Sequence, residues 1–153
     1  MLTDETKQKI LDLQKKYPEK RSAIIPALHM AQSQVGYLPK EIQQEVADLF
    51  DVSLNEVNSL VTFYEMFHDK PVGKHIVHVC LNVPCMLKGA DALMEGICKK
   101  LRVKAGETTE DQKYSLFHAE CLGACDKAPA LMIDEESKGS VQLADIDTIF
   151  KDI

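Results

Sequence analysis

The first seventy positions carry apolar residues at helical spacing, and the remainder switches to short alternating runs. Ile10, Leu13 and Tyr17 follow a helical stripe that Pro18 ends. A second stripe runs Ile24, Leu28, Ala31, Val35 and stops at Gly36, with Pro26 near its first turn. Pro39 is placed to open a third helix bearing Ile42, Val46 and Leu49. Ser53 and Glu56 fit a capping box, with Val52 and Val57 as the flanking staple, and predict a fourth helix through Leu60, Val61 and Tyr64 to about Phe67. Met66 and Phe67 read as core residues.

After Asp69-Lys-Pro-Val-Gly73 the period changes. His75-Ile-Val-His-Val-Cys80 is β-branched and alternates, with Ile76, His78 and Cys80 on one face and Val77 and Val79 on the other. Leu87, Ala90, Leu93, Met94, Ile97 and Leu101 then share one helical stripe. A polar stretch, 104–113, separates this helix from a second strand at Tyr114–Ala119 and a third at Ala130–Ile133. Glu135–Gly139 reads as a turn, Ser140–Gln142 as a short fourth strand, and Leu143, Ile146, Ile149 and Phe150 as a closing helix. The pattern divides the chain into a helical bundle at 1–70 and a small α/β layer at 71–153, whose first two strands run parallel through a helical crossover.

Charge narrows the functions that fit. The net charge is −6, with eight Lys/Arg against eleven Asp/Glu in residues 1–70 and ten against thirteen in 71–153. Neither half has the basic surplus of a nucleic-acid binder, which sets aside a helix-turn-helix reading of the short helices. No apolar run approaches the ~20 residues needed to cross a bilayer. The first residues lack the basic and apolar segments of an export signal, so a cytoplasmic protein without membrane insertion is expected.

All five cysteines lie after residue 79, and a reducing cytoplasm favours metal or redox roles over disulfides. Cys80-Leu-Asn-Val-Pro-Cys85 and Cys121-Leu-Gly-Ala-Cys125 form C-x4-C, thirty-five intervening residues, then C-x3-C. Each pair follows an expected strand, and parallel strands bring both loops to one sheet edge. Four thiolates are the ligand set of a [2Fe–2S] cluster, with Gly123 allowing close backbone approach and Pro84 stiffening the other loop. A structural zinc site also takes four cysteines, which would make the chain a zinc-stabilised interaction module. Thioredoxin-type chemistry needs C-x-x-C, and a Rieske centre needs histidines in the loops; both are missing. Cys98 falls on the apolar stripe and reads as a core thiol, while His78 and His118 read as sheet-surface residues.

Cys80-x4-Cys85-x3-Gly89-Ala90 and Glu120-Cys121-Leu-Gly-Ala-Cys125-x2-Ala128-Pro129 together resemble the thioredoxin-like [2Fe–2S] ferredoxin family. That family includes the 24-kDa subunit of NADH dehydrogenase and the small subunits of NAD(P)-linked hydrogenases, among them electron-bifurcating ones, and of formate dehydrogenases. Ala27-Leu28-x3-Gln32-x3-Gly36-Tyr37-Leu38-Pro39 and Val61-Thr-Phe-Tyr-Glu-Met-Phe67 resemble its helical region. The resemblance implies an N-terminal helical bundle that docks on a partner, followed by a thioredoxin-like [2Fe–2S] domain with Cys80, Cys85, Cys121 and Cys125 as ligands. It implies a one-electron carrier within an oxidoreductase complex, with no substrate site of its own. FMN and the NAD(P)(H) site are expected on a larger flavoprotein subunit, since this chain has no Gly-rich dinucleotide fingerprint; further Fe–S subunits complete the complex.

Overall fold

The computed structural model describes residues 1–151, and the chain divides into two compact units, Met1–Pro71 and the part from Val72 onward. The first unit is helical: α1 (Asp4–Gln14), α2 (Ile24–Val35), α3 (Lys40–Phe50) and α4 (Leu54–Phe63). Ile10, Ala27, Leu28, Ala31, Leu38, Ile42, Val46 and Val57 form its buried core. Thr3 caps α1 and Ser53 caps α4, each accepting from the N–H three residues on.

Two helices end earlier than their apolar stripes suggest. α1 stops at Gln14, because Tyr17 precedes Pro18 and is steered out of helical geometry, and the chain leaves through turn bonds from Lys16 N–H to Leu13 O and Tyr17 N–H to Gln14 O. α4 stops at Phe63, because tertiary partners take the backbone groups of the next turn. The Gln32 side chain donates to Met66 O (2.8 Å) and accepts from His68 N–H (2.9 Å), and Leu38 N–H donates to His68 O (2.6 Å). Phe67 is buried against this turn, but Met66 points outward and is not core. Glu56 does not close the expected capping box; its carboxylate takes Arg21 at 2.6 Å.

The second unit is built on β1 (His75–Cys80), with β3 (Tyr114–Ala119) parallel to it in register from His75↔Tyr114 to Cys80↔Ala119. β4 (Leu131–Ile133) pairs antiparallel with the other edge of β1, β5 (Glu136–Lys138) with β4, and β2 (Glu107–Thr108) with β3, giving the order β2-β3-β1-β4-β5. The crossover carries two helices, α5 (Val83–Leu87) and α6 (Ala90–Leu101), and α7 (Ile146–Ile149) closes the described fold. Val77, Val79, Leu116 and Leu131 meet Leu93, Met94, Ile97, Leu101, Ile146 and Phe150 in one core.

The stripe drawn from Leu87 to Leu101 is broken. Gly89, at φ +91°, turns the chain between α5 and α6 and leaves Leu87 facing solvent. Leu143 is also exposed, on a turn of 3-10 helix before α7. Strand β5 lies where a turn was expected, because Asp134 at φ +54° makes the reversal in two residues, 134–135. Residues 140–142 are no strand: Ser140 and Val141 donate to Lys127 O and Pro129 O, bracing the second cysteine loop instead. Cys98 packs against the sheet core but is only half-buried.

Asp134 also fastens the start of β1, accepting from Ile76 N–H (2.9 Å) and pairing with His75 Nδ1 (2.8 Å). Partial burial pushes its carboxyl up, but the His75 ring and the Ile76 N–H outweigh this and hold it below the usual aspartate value. The contribution of a carboxyl depressed in the fold is complete above its unfolded value and is lost as pH falls through the folded one. Asp134→Asn should therefore lower the melting temperature at neutral pH and flatten the loss of stability below about pH 4, seen by thermal melts across pH. Gly73 admits no side chain, since a Cβ there would lie 2.7 Å from the Tyr114 carbonyl carbon and 2.9 Å from Ser115 N. Gly73→Ala should cost about 1–3 kcal/mol, read as a lower urea midpoint.

Candidate metal centre

Parallel pairing of β1 and β3 decides where the cysteines go. Cys80 is the last residue of β1, opposite Ala119, and Cys121 follows two residues beyond that partner. The Cys80 N–H donates to Ala130 O and the Leu81 N–H to Ala119 O, so three strands are tied together where the cysteine loops leave the sheet. Cys85 sits in α5, whose start is fixed by Asn82 Oδ1 accepting from Val83 N–H at 2.9 Å and by Pro84 in the first turn. Cys125 begins a short 3-10 turn, Cys125–Lys127, after Gly123 has taken a left-handed φ of +70°.

All four sequence-predicted cysteines meet at this edge. Their sulfurs interact within each pair, Cys80 with Cys85 and Cys121 with Cys125, and the pairs sense each other electrostatically across the gap. Cys80 and Cys85 are 2% exposed, whereas Cys121 and Cys125 open to solvent. Cys80, Cys85, Ala90 and Ala130 form a small apolar pocket of their own, with Leu81, Leu122, Ala124 and Ala128 around it.

The backbone around these sulfurs is arranged for negative charge. Burial pushes the Cys80 thiol up, but the N–H groups of Asn82 and Leu122 and the Cys85 thiol more than offset this, and the net shift is downward. Cys85 is held above the usual thiol value by burial and by its bond to Cys80, against the opposing N–H of Ala130. Cys125, though open to solvent, is raised by the partial loss of water around its sulfur and by the charge of the neighbouring Cys121. Gly123 N–H donates to Cys121 Sγ at 3.4 Å. Donor N–H groups directed at thiolates offset the cost of gathering like charges in a partly dry site.

The donor set is four thiols, which fits an iron–sulfur centre and is also a zinc ligand set. A tetrahedral zinc needs its ligands gathered about one point. Among the described residues, no three His, Cys, Asp or Glu side chains are grouped to hold one metal ion. Thiol contacts run within each pair, Cys80 with Cys85 and Cys121 with Cys125, and two such pairs match two irons with two sulfurs each. His78 lies half-buried on the sheet, its ring stacked on Phe117 at 5.7 Å, and His118 is exposed. Sequence reasoning found the sulfurs but not the N–H groups of Asn82, Leu122 and Ala130, for which no side-chain signal exists. Two open hollows, of about 660 and 500 Å³, share Tyr114 at the opposite end of the strands.

Comparison with known proteins agrees with this geometry. The family model for thioredoxin-like [2Fe-2S] ferredoxin matches residues 10–153. A subunit of the NADH-quinone oxidoreductase of Rhizobium meliloti (strain 1021) is 40% identical over 136 residues, covering 89% of this chain and 81% of its own. The corresponding NADH-quinone oxidoreductase subunit from Rickettsia bellii (strain RML369-C) is 44% identical over 128 residues, 82% of this chain and 77% of its own. That from Aquifex aeolicus (strain VF5) is 35% identical over 146 residues, 94% and 91%. A solved NAD+-reducing [NiFe]-hydrogenase in the air-oxidised state superposes with a TM-score of 0.73 at 25% identity, over 84% of this chain and 22% of that one. The chain thus spans about a fifth of the hydrogenase chain it matches. Among the described residues no helix is long and apolar enough to cross a membrane.

Exposure separates the two pairs chemically. In the metal-free chain, iodoacetamide should label Cys121 and Cys125 first, with Cys80 protected until unfolding despite its lowered thiol, as peptide mass mapping would show. Labelling of Cys80 as fast as Cys121 would contradict the buried inner pair.

Proposed function

The chain belongs to the thioredoxin-like [2Fe–2S] ferredoxin family, and from that premise we propose that Cys80, Cys85, Cys121 and Cys125 ligate its [2Fe–2S] cluster and that the chain carries single electrons in an NAD(P)H-linked flavin oxidoreductase complex. The observation that carries this reading is the convergence of two thiol pairs at one sheet edge, with backbone N–H groups facing the sulfurs. When bound, the cluster supplies a site that accepts and returns one electron with no bond made or broken in a substrate. The protein's part is to hold the sulfurs as thiolates, to offset their charge with N–H groups and to keep one side of the site dry. It leaves the Cys121–Cys125 side open for exchange.

The electron partner in this reading is a larger flavoprotein subunit that holds FMN and the NAD(P)(H) site, with other Fe–S subunits beyond it. Such an assembly is an NADH dehydrogenase, as the names of the relatives suggest, or a soluble hydrogenase, bifurcating or not, with the NAD+-reducing [NiFe]-hydrogenase match in its support. The complex works in the cytoplasm, with this chain held by its partners rather than inserted in a membrane. The helical unit, 1–70, serves as a docking element: Phe63 stands 78% exposed next to a turn that Gln32 and Leu38 pin in place. A zinc-stabilised interaction module finds no support in the family match.

Anaerobic purification followed by iron, sulfide and zinc assay and by EPR tests the ligand assignment. The wild-type chain should hold about two irons and two sulfides, with a spin-half signal after dithionite. Cys121→Ala should lose most of the iron and the signal, while Cys98→Ala keeps both. Equal loss in the two variants, or zinc in place of iron, would overturn the assignment.

A further inference from the structure

The end of the second cysteine loop is held from both sides. On its inner side Ala130 O accepts from Cys80 N–H at 3.1 Å, and Ala130 N–H is directed at the Cys85 sulfur. On its outer side the chain leaving β5 returns along it, with Ser140 N–H donating to Lys127 O (2.5 Å) and Val141 N–H to Pro129 O (3.1 Å). Lys127 closes the short turn that Cys125 opens, and its own N–H donates to Ala124 O at 3.0 Å. Segment 127–130 therefore joins an outer cysteine to an N–H donor of the inner pair, and residues 139–141 back it.

A missing side chain makes this backing possible. A Cβ on Gly139 would lie 2.5 Å from Lys127 Cβ and 3.0 Å from Lys127 O. Neither atom is the movable end of a side chain, so the backbone of one segment would have to shift. Gly139 is not among the glycines at a left-handed φ, so close approach rather than backbone conformation calls for glycine there. Two other glycines leave no room for a Cβ, but Gly73 meets the start of β3 and Gly96 meets Ile146 and Leu143. The backing is itself fixed: Val141 is buried in the sheet core, and Gln142 N–H donates to Asp145 Oδ2 at 2.8 Å in the turn before α7. A segment anchored in this way can set the position of its neighbour.

We propose that Gly139 is a positioning residue for the [2Fe–2S] cluster, acting through Lys127 to set where Cys125 and the Ala130 N–H stand. This rests on the ligand assignment above and adds to it a residue outside both cysteine loops. Hydrogen bonds to cluster sulfurs favour the reduced, more negative form, and groups that hold ligands from behind govern how firmly metal is kept. A side chain at 139 separates 139–141 from 127–130. Lys127 O and Pro129 O then lose their donors, and the Ala130 N–H loosens from Cys85.

The test uses the full, cluster-loaded chain. Gly139→Ala should release iron to a chelator about tenfold faster than wild type. Its EPR g values should change and its midpoint potential should fall, because a weaker N–H bond stabilises the added electron less. Placed in a Lys127→Gly background, which removes the Cβ it would strike, Gly139→Ala should behave like Lys127→Gly alone. Ser140→Gly, which suits the φ of +56° there and keeps both N–H bonds, should match wild type. Should Gly139→Ala fail to fold, amide exchange on the wild-type chain decides. A segment that positions the cluster is held by it in return, so loading should slow exchange across 139–142 more than across 75–77 at the far end of β1. Equal slowing in the two segments overturns the positioning role. So does a Gly139→Ala variant that melts lower yet keeps wild-type iron release, g values and potential, or one that Lys127→Gly does not relieve. A wild-type chain that takes up no iron fails differently, by removing the ligand assignment itself.

Discussion

Six-residue parallel pairing between β1 and β3 is the constraint on which the site depends. Strands in parallel point their C-terminal ends the same way, so the loops that follow must emerge together. With antiparallel pairing the C-x4-C and C-x3-C segments would leave at opposite ends of the sheet. The crossover that parallel pairing demands is supplied by α6, whose Leu93, Met94, Ile97 and Leu101 fill the space over Val77, Val79 and Leu116. Core packing and cysteine placement are thus one event. Gly73 belongs to the same event, since its missing side chain lets the start of the sheet close against Tyr114 and Ser115.

Electrostatics sets the second requirement. Four thiolates in a partly dry pocket repel one another, and the raised thiols of Cys85 and Cys125 register that cost. The backbone offsets it: N–H groups of Asn82, Leu122, Gly123 and Ala130 face sulfurs, and they come from three different segments of chain. A fourth segment, 140–141, braces the second cysteine loop from behind through Lys127 O and Pro129 O. Because inner and outer sulfurs differ so sharply in exposure, the site has a protein side and a solvent side. That polarity suits a carrier, which must shield its charge yet let a partner come near.

In the helical unit the same logic appears with aromatic residues. Gln32 is a helix residue by position, but both ends of its amide leave the helix to hold Met66 O and His68 N–H. His29 lies against the Phe67 ring at 4.8 Å, and Phe63 meets Tyr64 edge-on at 5.0 Å. The turn after α4 is therefore held by tertiary contacts rather than by its own propensity, and it keeps Phe63 exposed without letting it wander.

Residue order alone was enough to assign most helices and strands and the change of period near residue 70, and to single out two cysteine pairs as candidate ligands. These were legible because each rests on local periodicity or on side-chain chemistry carried in the residue itself: Val77 and Val79 alternate, and Cys80, Cys85, Cys121 and Cys125 are thiols wherever they lie. The ends and the exceptions were settled by packing in three dimensions. α4 ends at Phe63 because Gln32 and Leu38 claim the next backbone groups, and Leu87 leaves its stripe because Gly89 adopts a left-handed turn. β5 forms at 136–138 because β4 offers it an edge, while 140–142 lose strand form to the loop at 127–129. The N–H groups around the sulfurs belong to the same class. A backbone donor is common to nearly every residue, so its target is set by where the chain passes in space.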